Sequence, residues 1–318
     1  MPIIKNSPYN NKKPFYFLNS HFETMIPSLF YKVKDVAYQR ERLELDDGDF
    51  LDLDWLKCGS EKVMILNHGM EGDSKRHYIK RFSKFFHKKG WDILAWNYRS
   101  CSGELNRLAK FYSYGGMSDL ATVTKHVLDL NYSQVVLVGF SMGGGLVTKY
   151  LGTQPIEKRI THGIVFSVSS DVKDSVNAVE KKKHIIYSRL YVNKLKNKLK
   201  EKARVFEELR NIPFKRIKTF KDIHQHYTVP HHNYTNIDQF YEEASSGPHI
   251  KNIGVPTLMI NALNDPILGK KCYPYEAARA NPHFFLETPK YGGHLGFSLI
   301  GKDFSYMEIR ANEFLQSH

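Results

Sequence analysis

Three residues far apart in the chain have the types and settings for nucleophilic acyl transfer: Ser141, Asp265 and His294. Ser141 is the centre of Gly139-Phe140-Ser141-Met142-Gly143, which follows the apolar run Val135-Val-Leu-Val138 and precedes the helix-like Leu146-Val-Thr-Lys-Tyr-Leu151. The pattern implies a strand, a tight turn with the serine at its tip, and a helix. In such a turn the residues two before and two after the serine nearly touch, so a Cβ at either would clash and glycine suits both. The serine backbone is then strained and its hydroxyl stands clear. The five-residue pattern alone is weak, and its place between a buried-strand pattern and a helix gives it weight.

A serine hydroxyl needs a base, and the base needs an acid that holds its tautomer and stabilises its charged form. In an open parallel sheet both belong in loops after the C-terminal ends of strands. Asp265 lies in Asn261-Ala-Leu-Asn-Asp265-Pro266 after one late strand pattern, and His294 in Lys290-Tyr-Gly-Gly-His294-Leu-Gly-Phe297 after the next. The chain order Ser, Asp, His is the one expected for this arrangement. Asp171 also follows a strand pattern and ranks second as the acid, because its neighbours already belong to an inserted segment. The backbone N–H groups of Met142, at the mouth of the helix, and of Met70, in the loop His68-Gly69-Met70, are the expected donors to a developing oxyanion. His224-Gln-His226 and His231-His232 match no metal-ligand spacing and read as solvated loop histidines. No metal site is expected.

Positioning these residues calls for alternating strands and helices. Apolar strand patterns cover 63–66, 92–98, 163–168, 256–261 and 283–287, and helical patterns cover 78–89, with Ile79, Phe82, Phe85 and Phe86 on one face, and 119–130. The alternation implies right-handed crossovers and a mainly parallel sheet, an α/β class of fold. Residues 42–56 read as a hairpin around Asp46-Asp47-Gly48-Asp49, antiparallel at one edge. Residues 1–35, with Tyr9, Phe15, Tyr16, Phe17, Phe22, Phe30 and Tyr31, are expected to be irregular and to pack over the core. Residues 171–247 break the alternation. They are long, basic and mostly helical, and are expected to form a lid over the site within a single domain spanning 1–318.

Composition narrows the function classes. With 318 residues, 42% of them hydrophobic, the chain can bury one large core or two modest ones. Cys58, Cys101 and Cys272 are an odd number without metal spacing, which points to a reducing compartment. No apolar run suits a signal peptide or a membrane span, so a cytoplasmic location is expected. Of the net charge of +13, residues 171–230 carry +9, from 16 Lys/Arg against 7 Asp/Glu. No nucleic-acid motif accompanies this surplus. In the helical stretch Lys181, Lys182, Lys183, Lys194, Lys196, Lys198, Lys200 and Lys202 surround Ile185, Ile186, Leu190, Leu195 and Leu199. The plainer expectation is a lid packed by its apolar face and solvated by its lysines. The sharper one is that the lysines draw in anionic substrates or a membrane surface.

Several segments resemble the YheT-like branch of the α/β-hydrolase family. They are Phe17-Leu-Asn-Ser-His-Phe-Glu-Thr24 through Pro27-Ser-Leu-Phe30, His68-Gly-Met-Glu-Gly72, Tyr98-Arg-Ser-Cys-Ser-Gly-Glu104 with Asn106-Arg107, Gly139-Phe-Ser-Met-Gly-Gly144, Ala262-Leu-Asn-Asp-Pro266 and Gly293-His-Leu-Gly296. The stretch from Tyr227-Thr-Val-Pro230 to Tyr241-Glu-Glu-Ala-Ser245 is similar to the region after the lid in that branch. The resemblance implies a serine hydrolase acting on small-molecule or lipid carboxylic esters without a cofactor. Two positions depart from the pattern: His226 stands where an acidic residue is expected, and Asn264 where Asp is frequent. A thioesterase or acyltransferase would use the same acyl-enzyme, and a catalytically silent binding protein is the rival from another class. Oligomeric state stays open.

Overall fold

The computed structural model describes residues 2–14, 19–114 and 116–318. Its strands are β1 (Ile3–Ile4), β2 (Gln39–Glu44), β3 (Phe50–Leu56), β4 (Lys62–Asn67), β5 (Asp92–Asn97), β6 (Gln134–Phe140), β7 (Ile160–Phe166), β8 (Thr257–Ile260) and β9 (Phe284–Glu287). They form one sheet in the order β1-β9-β8-β7-β6-β4-β5-β3-β2. The run from β1 to β5 in that order is parallel throughout, while β3 is antiparallel to both β2 and β5. The hairpin expected over 42–56 is therefore β2–β3, at one edge.

Strand alternation divides the core into two layers. Along β4, Val63 and Ile65 join one layer and Met64 and Leu66 the other; along β6, Val135 and Leu137 oppose Val136 and Val138. Both faces are covered, which is why these strands read as unbroken apolar runs. Leu120, Val123 and Val127 of the helix Ser118–Asp129 and Leu146, Val147 and Leu151 of the helix Met142–Thr153 close the first layer. Ile79, Phe82 and Phe86 of the helix His77–His87 and Met307, Ala311 and Phe314 of the helix Tyr306–Ser317 close the second. This is the α/β-hydrolase architecture that the resemblance implied.

The N-terminal 35 residues depart from expectation. Besides β1 they contain a helix, Ser20–Phe30, whose N-cap Asn19 accepts the amides of His21 and Phe22 at 2.9 and 3.2 Å. Its burial is inverted: Glu23 is fully buried, while Phe22, Met25, Leu29 and Phe30 are exposed. A hydrophobic pattern therefore could not reveal it. Tyr9 packs into the core as expected, stacked on Tyr306 with ring centroids 5.2 Å apart. Phe15, Tyr16 and Phe17 lie outside the described residues.

Between β7 and β8 the chain forms the helices Val172–Val179, Ile185–Ala203, Phe220–Ile223 and Ile237–Ala244, with a π-helical turn at His224–Thr228. They share a third apolar cluster that includes Val176, Tyr187, Leu195, Leu199, Ile223 and Phe240, together with Ala109 and Phe111 from the loop after β5. The lysines of Ile185–Ala203 do not all face solvent, as the plainer expectation had it. Lys198 pairs with Glu71 at 2.6 Å, and Lys202 is fully buried, donating to Asn106 Oδ1 at 2.7 Å and Leu108 O at 2.6 Å. Desolvation lowers Lys202 to about 8. Ile186 and Leu190, expected to pack, are instead exposed. Mixed spacings left the choice of inner face open, and Tyr187, Val192, Leu195 and Leu199 take it. No helix among the described residues is long and apolar enough to cross a membrane.

Candidate active site

At the end of β6 the backbone turns sharply at Ser141, with φ 55° and ψ −119°, and the helix Met142–Thr153 begins at the next residue. A left-handed φ on a non-glycine residue costs roughly 1–3 kcal/mol, so packing must hold it there. It does so without room to spare. A Cβ on Gly139 would stand 2.5 Å from Gly143 O, and one on Gly143 would stand 2.3 Å from Asn67 O. The two flanking glycines are thus required by contact with each other and with the end of β4, as the sequence pattern predicts.

The loops after β8 and β9 bring Asp265 and His294 to this serine. The Ser141 hydroxyl lies 2.9 Å from His294 Nε2, and His294 Nδ1 lies 2.8 Å from Asp265 Oδ2. All three side chains are buried. A carboxylate beside Nδ1 keeps the proton on that nitrogen, leaving Nε2 to accept from the hydroxyl. The other Asp265 oxygen accepts the Ile267 amide at 2.8 Å, which fixes the carboxylate plane. Asp171, the second candidate for the acid, is instead the N-cap of Val172–Val179 and accepts the Asp174 amide at 2.8 Å.

The His294 loop is held by residues whose role no sequence pattern announces. Glu23 Oε2 accepts the Gly292 amide at 2.7 Å and the Asn264 side-chain amide at 2.8 Å. Asn264 Oδ1 in turn accepts the Gly293 amide at 3.0 Å. Thr24 Oγ1 accepts the His294 amide and Ser167 Oγ the Leu295 amide, each at 3.0 Å. An aspartate at 264 would set a second carboxylate against buried Glu23, which gives the departure at Asn264 a physical reason. Glu23 and Thr24 lie within a resemblance motif, the one signal that could have marked them.

The loop after β4 packs against the serine turn. A Cβ on Gly69 would lie 3.2 Å from Ser141 Cβ. The Gly69 amide donates to the Tyr78 hydroxyl at 3.0 Å, and the Glu71 amide to that of Tyr112 at 3.0 Å, which brackets Met70. His68 beneath the loop is fully buried; its Nδ1 donates to Gly69 O at 2.7 Å and its Nε2 accepts the Tyr98 amide at 3.2 Å. Burial lowers its pKa to about 3. Met142 is the first residue of its helix, where an amide has no intrahelical acceptor.

Ser141 and His294 open on a cavity of about 130 Å³ whose wall includes Met70, Tyr191, Phe220 and Ile267. His224 also lines it, contrary to the expectation of a solvated loop histidine. The π-helical turn carries this ring inward, 3.2 Å from the Tyr241 hydroxyl, and burial lowers its pKa to about 3. Among the described residues no group of three or more His, Cys, Asp or Glu side chains is arranged to hold a metal ion.

Residues 62–299 match the alpha/beta hydrolase fold family. The chain is 26% identical to the putative esterase YheT of Escherichia coli (strain K12), over 88% of this chain and 85% of that protein. It is also 26% identical to the human phospholipase ABHD3, over 93% of this chain and 76% of that one. Among solved structures it is similar to a soluble variant of monoglyceride lipase from Saccharomyces cerevisiae, with a TM-score of 0.60, 18% identity and coverage of 91% and 97%. The esterase Pf2001 of Pyrococcus furiosus also gives a TM-score of 0.60, at 19% identity and coverage of 88% and 91%. A family match over three quarters of the sequence, on a sheet with this topology, makes the chain a member of the alpha/beta hydrolase fold family.

Proposed function

We propose that the protein hydrolyses carboxylic esters through an acyl-serine intermediate. The observation that carries this reading is the hydrogen-bonded series Ser141, His294, Asp265, opening on a cavity. His294 Nε2 takes the hydroxyl proton as Ser141 Oγ attacks the ester carbonyl. The oxyanion of the tetrahedral intermediate accepts from the backbone N–H groups of Met70 and Met142. Collapse expels the alcohol, which takes the proton from His294. Water, deprotonated by the same ring, then releases the acid and restores Ser141. Asp265 keeps the imidazole in the required tautomer and stabilises its charged form throughout.

In this reading residues 171–247 act as a lid within one domain, because Tyr191, Phe220 and His224 from that segment wall the cavity. A cytoplasmic location belongs to the same proposal and is supported by three free thiols at Cys58, Cys101 and Cys272. Similarity to proteins named as an esterase and a phospholipase supports small-molecule or lipid esters as the substrate class. Purified protein assayed on p-nitrophenyl esters of graded chain length is expected to turn over at least one length well above the rate without protein. No turnover across that series, with lipid esters included, would remove the reading.

A further inference from the structure

The cavity at Ser141 carries an unbalanced charge. Arg76 and Lys194 line it, and among the described residues no aspartate or glutamate does. Arg76 comes from the loop before His77–His87, and Lys194 from the inserted helix Ile185–Ala203. Among the described residues Arg76 donates to the Glu71 carbonyl, and neither cation pairs with a carboxylate. The neighbouring carboxylates are engaged elsewhere: Glu71 pairs with Lys198 at 2.6 Å and accepts the Tyr112 hydroxyl at 2.5 Å, and Asp73 accepts the Lys75 amide at 2.9 Å. His77 and His224 share the wall, and burial lowers each to about 3, so neither adds charge near neutral pH. Nε2 of His77 is buried without a hydrogen-bond partner among the described residues.

The same helix shows what a satisfied lysine looks like. One and two turns beyond Lys194, Lys198 meets Glu71, and Lys202 meets Asn106 and Leu108. Lys194 has no such partner among the described residues. Desolvation, and then the charge of Arg76, lower its pKa. Two like charges in a partly desolvated space oppose each other, and an anion between them relieves both terms. A guanidinium can bind two oxygens of one anion while an ammonium takes a third.

We infer that Arg76 and Lys194 determine specificity by binding an anionic group of the ester while Ser141 attacks its carbonyl. The inference rests on the ester-hydrolase reading. The group is an oxyanion, either a carboxylate on the acyl chain or a phosphate on the alcohol. Two substrate pairs separate these sources: mono-4-nitrophenyl glutarate against p-nitrophenyl butyrate, and 1-butyryl-glycerol 3-phosphate against monobutyrin.

In the wild-type protein at least one charged member should exceed its neutral counterpart by roughly tenfold or more in kcat/KM. Arg76→Gln and Lys194→Gln should each lower that ratio by about tenfold, mainly through KM, while Lys194→Arg retains most of it. The pair that responds identifies the acyl or the alcohol side. Ratios near one for both pairs in the wild type, or a ratio that survives both glutamine variants, would overturn the inference. Should no ester be turned over at all, the ester reading fails, and the anion site is judged on its own in Ser141→Ala protein. Saturable binding of glutarate or glycerol 3-phosphate by calorimetry, lost in Ser141→Ala/Arg76→Gln, keeps the site; no binding removes it.

Discussion

Ser141 and His294 approach to 2.9 Å, yet they are held there in opposite ways. The serine is fixed largely by its own neighbours: β6, two glycines in contact across the turn, and the helix that starts at Met142. The histidine sits in a loop with left-handed backbone at Gly293, Leu295 and Phe297, which has little structure of its own to stand on. Its amides are tied down by Thr24 and Ser167, and those of the two glycines before it by Glu23 and Asn264. The serine is thus held by a local construction and the histidine by a remote one. Damage to the histidine can therefore begin some 270 residues away in sequence, in the helix Ser20–Phe30.

The largest expected effect tests the local side. Ser141→Ala should lose about three or more orders of magnitude in ester turnover while its thermal midpoint shifts by only a few degrees. Unchanged turnover of a short ester would place the nucleophile elsewhere. Almost as large is the effect expected at Asp265, the proposed acid. Asp265→Asn should lower kcat by roughly 10³–10⁴, because the amide no longer enforces the tautomer. Asp171→Asn should remain within about tenfold and lose at most the roughly 1 kcal/mol of a weakened N-cap. Swapped outcomes in steady-state kinetics would reassign the acid.

The remote side should respond more mildly and without touching the reacting atoms. Glu23→Ala releases the Gly292 amide and the Asn264 side chain together, and is expected to lower kcat by roughly ten- to a hundredfold with little change in KM. Asn264→Asp, which faces Glu23 with a second carboxylate, should do the same. Combining it with Glu23→Gln should recover part of the loss, a coupling that a double-mutant cycle measures. Additive losses would mean that the two residues act on the loop separately.

The smallest effect is on stability against pH, beneath the Met70 loop. Above about pH 6.5 His68 is neutral in both folded and unfolded chains, and its packing is fully retained. Below that, the unfolded chain takes up a proton that folded His68 refuses down to about 3, so stability falls as pH falls through this window. The loss from His68 alone approaches about 1.4 kcal/mol per pH unit. His77 and His224, lowered likewise to about 3, add to the slope in the same window, so urea midpoints at pH 7, 6 and 5 should decline; a flat series contradicts the burial argument for all three.

The same contrast explains what could be read in the sequence. The Gly139 to Gly143 turn announces itself because its constraints are local, and the strands around it because burial on both faces leaves unbroken apolar runs. That Asp265 and His294 meet near Ser141 was legible from their places after strand patterns, which a parallel sheet turns into proximity. Glu23 was not, because a buried carboxylate on a helix with exposed Phe22, Met25 and Leu29 inverts the usual pattern. Lys198 and Lys202 were hidden for a related reason: a lysine's place inside depends on partners such as Glu71 and Asn106, which lie about a hundred residues away. His224 reads as a loop histidine until the π-helical turn carries it into the cavity wall.

The central claim is that Ser141 is the nucleophile and His294 its base. Peptide mapping after reaction with a fluorophosphonate tests it most directly, since the reagent needs an activated hydroxyl but no knowledge of the substrate. One label per chain is expected, on the peptide that holds Ser141, absent from Ser141→Ala and slowed by orders of magnitude in His294→Ala. A label on another residue, or labelling undiminished in Ser141→Ala, would contradict it.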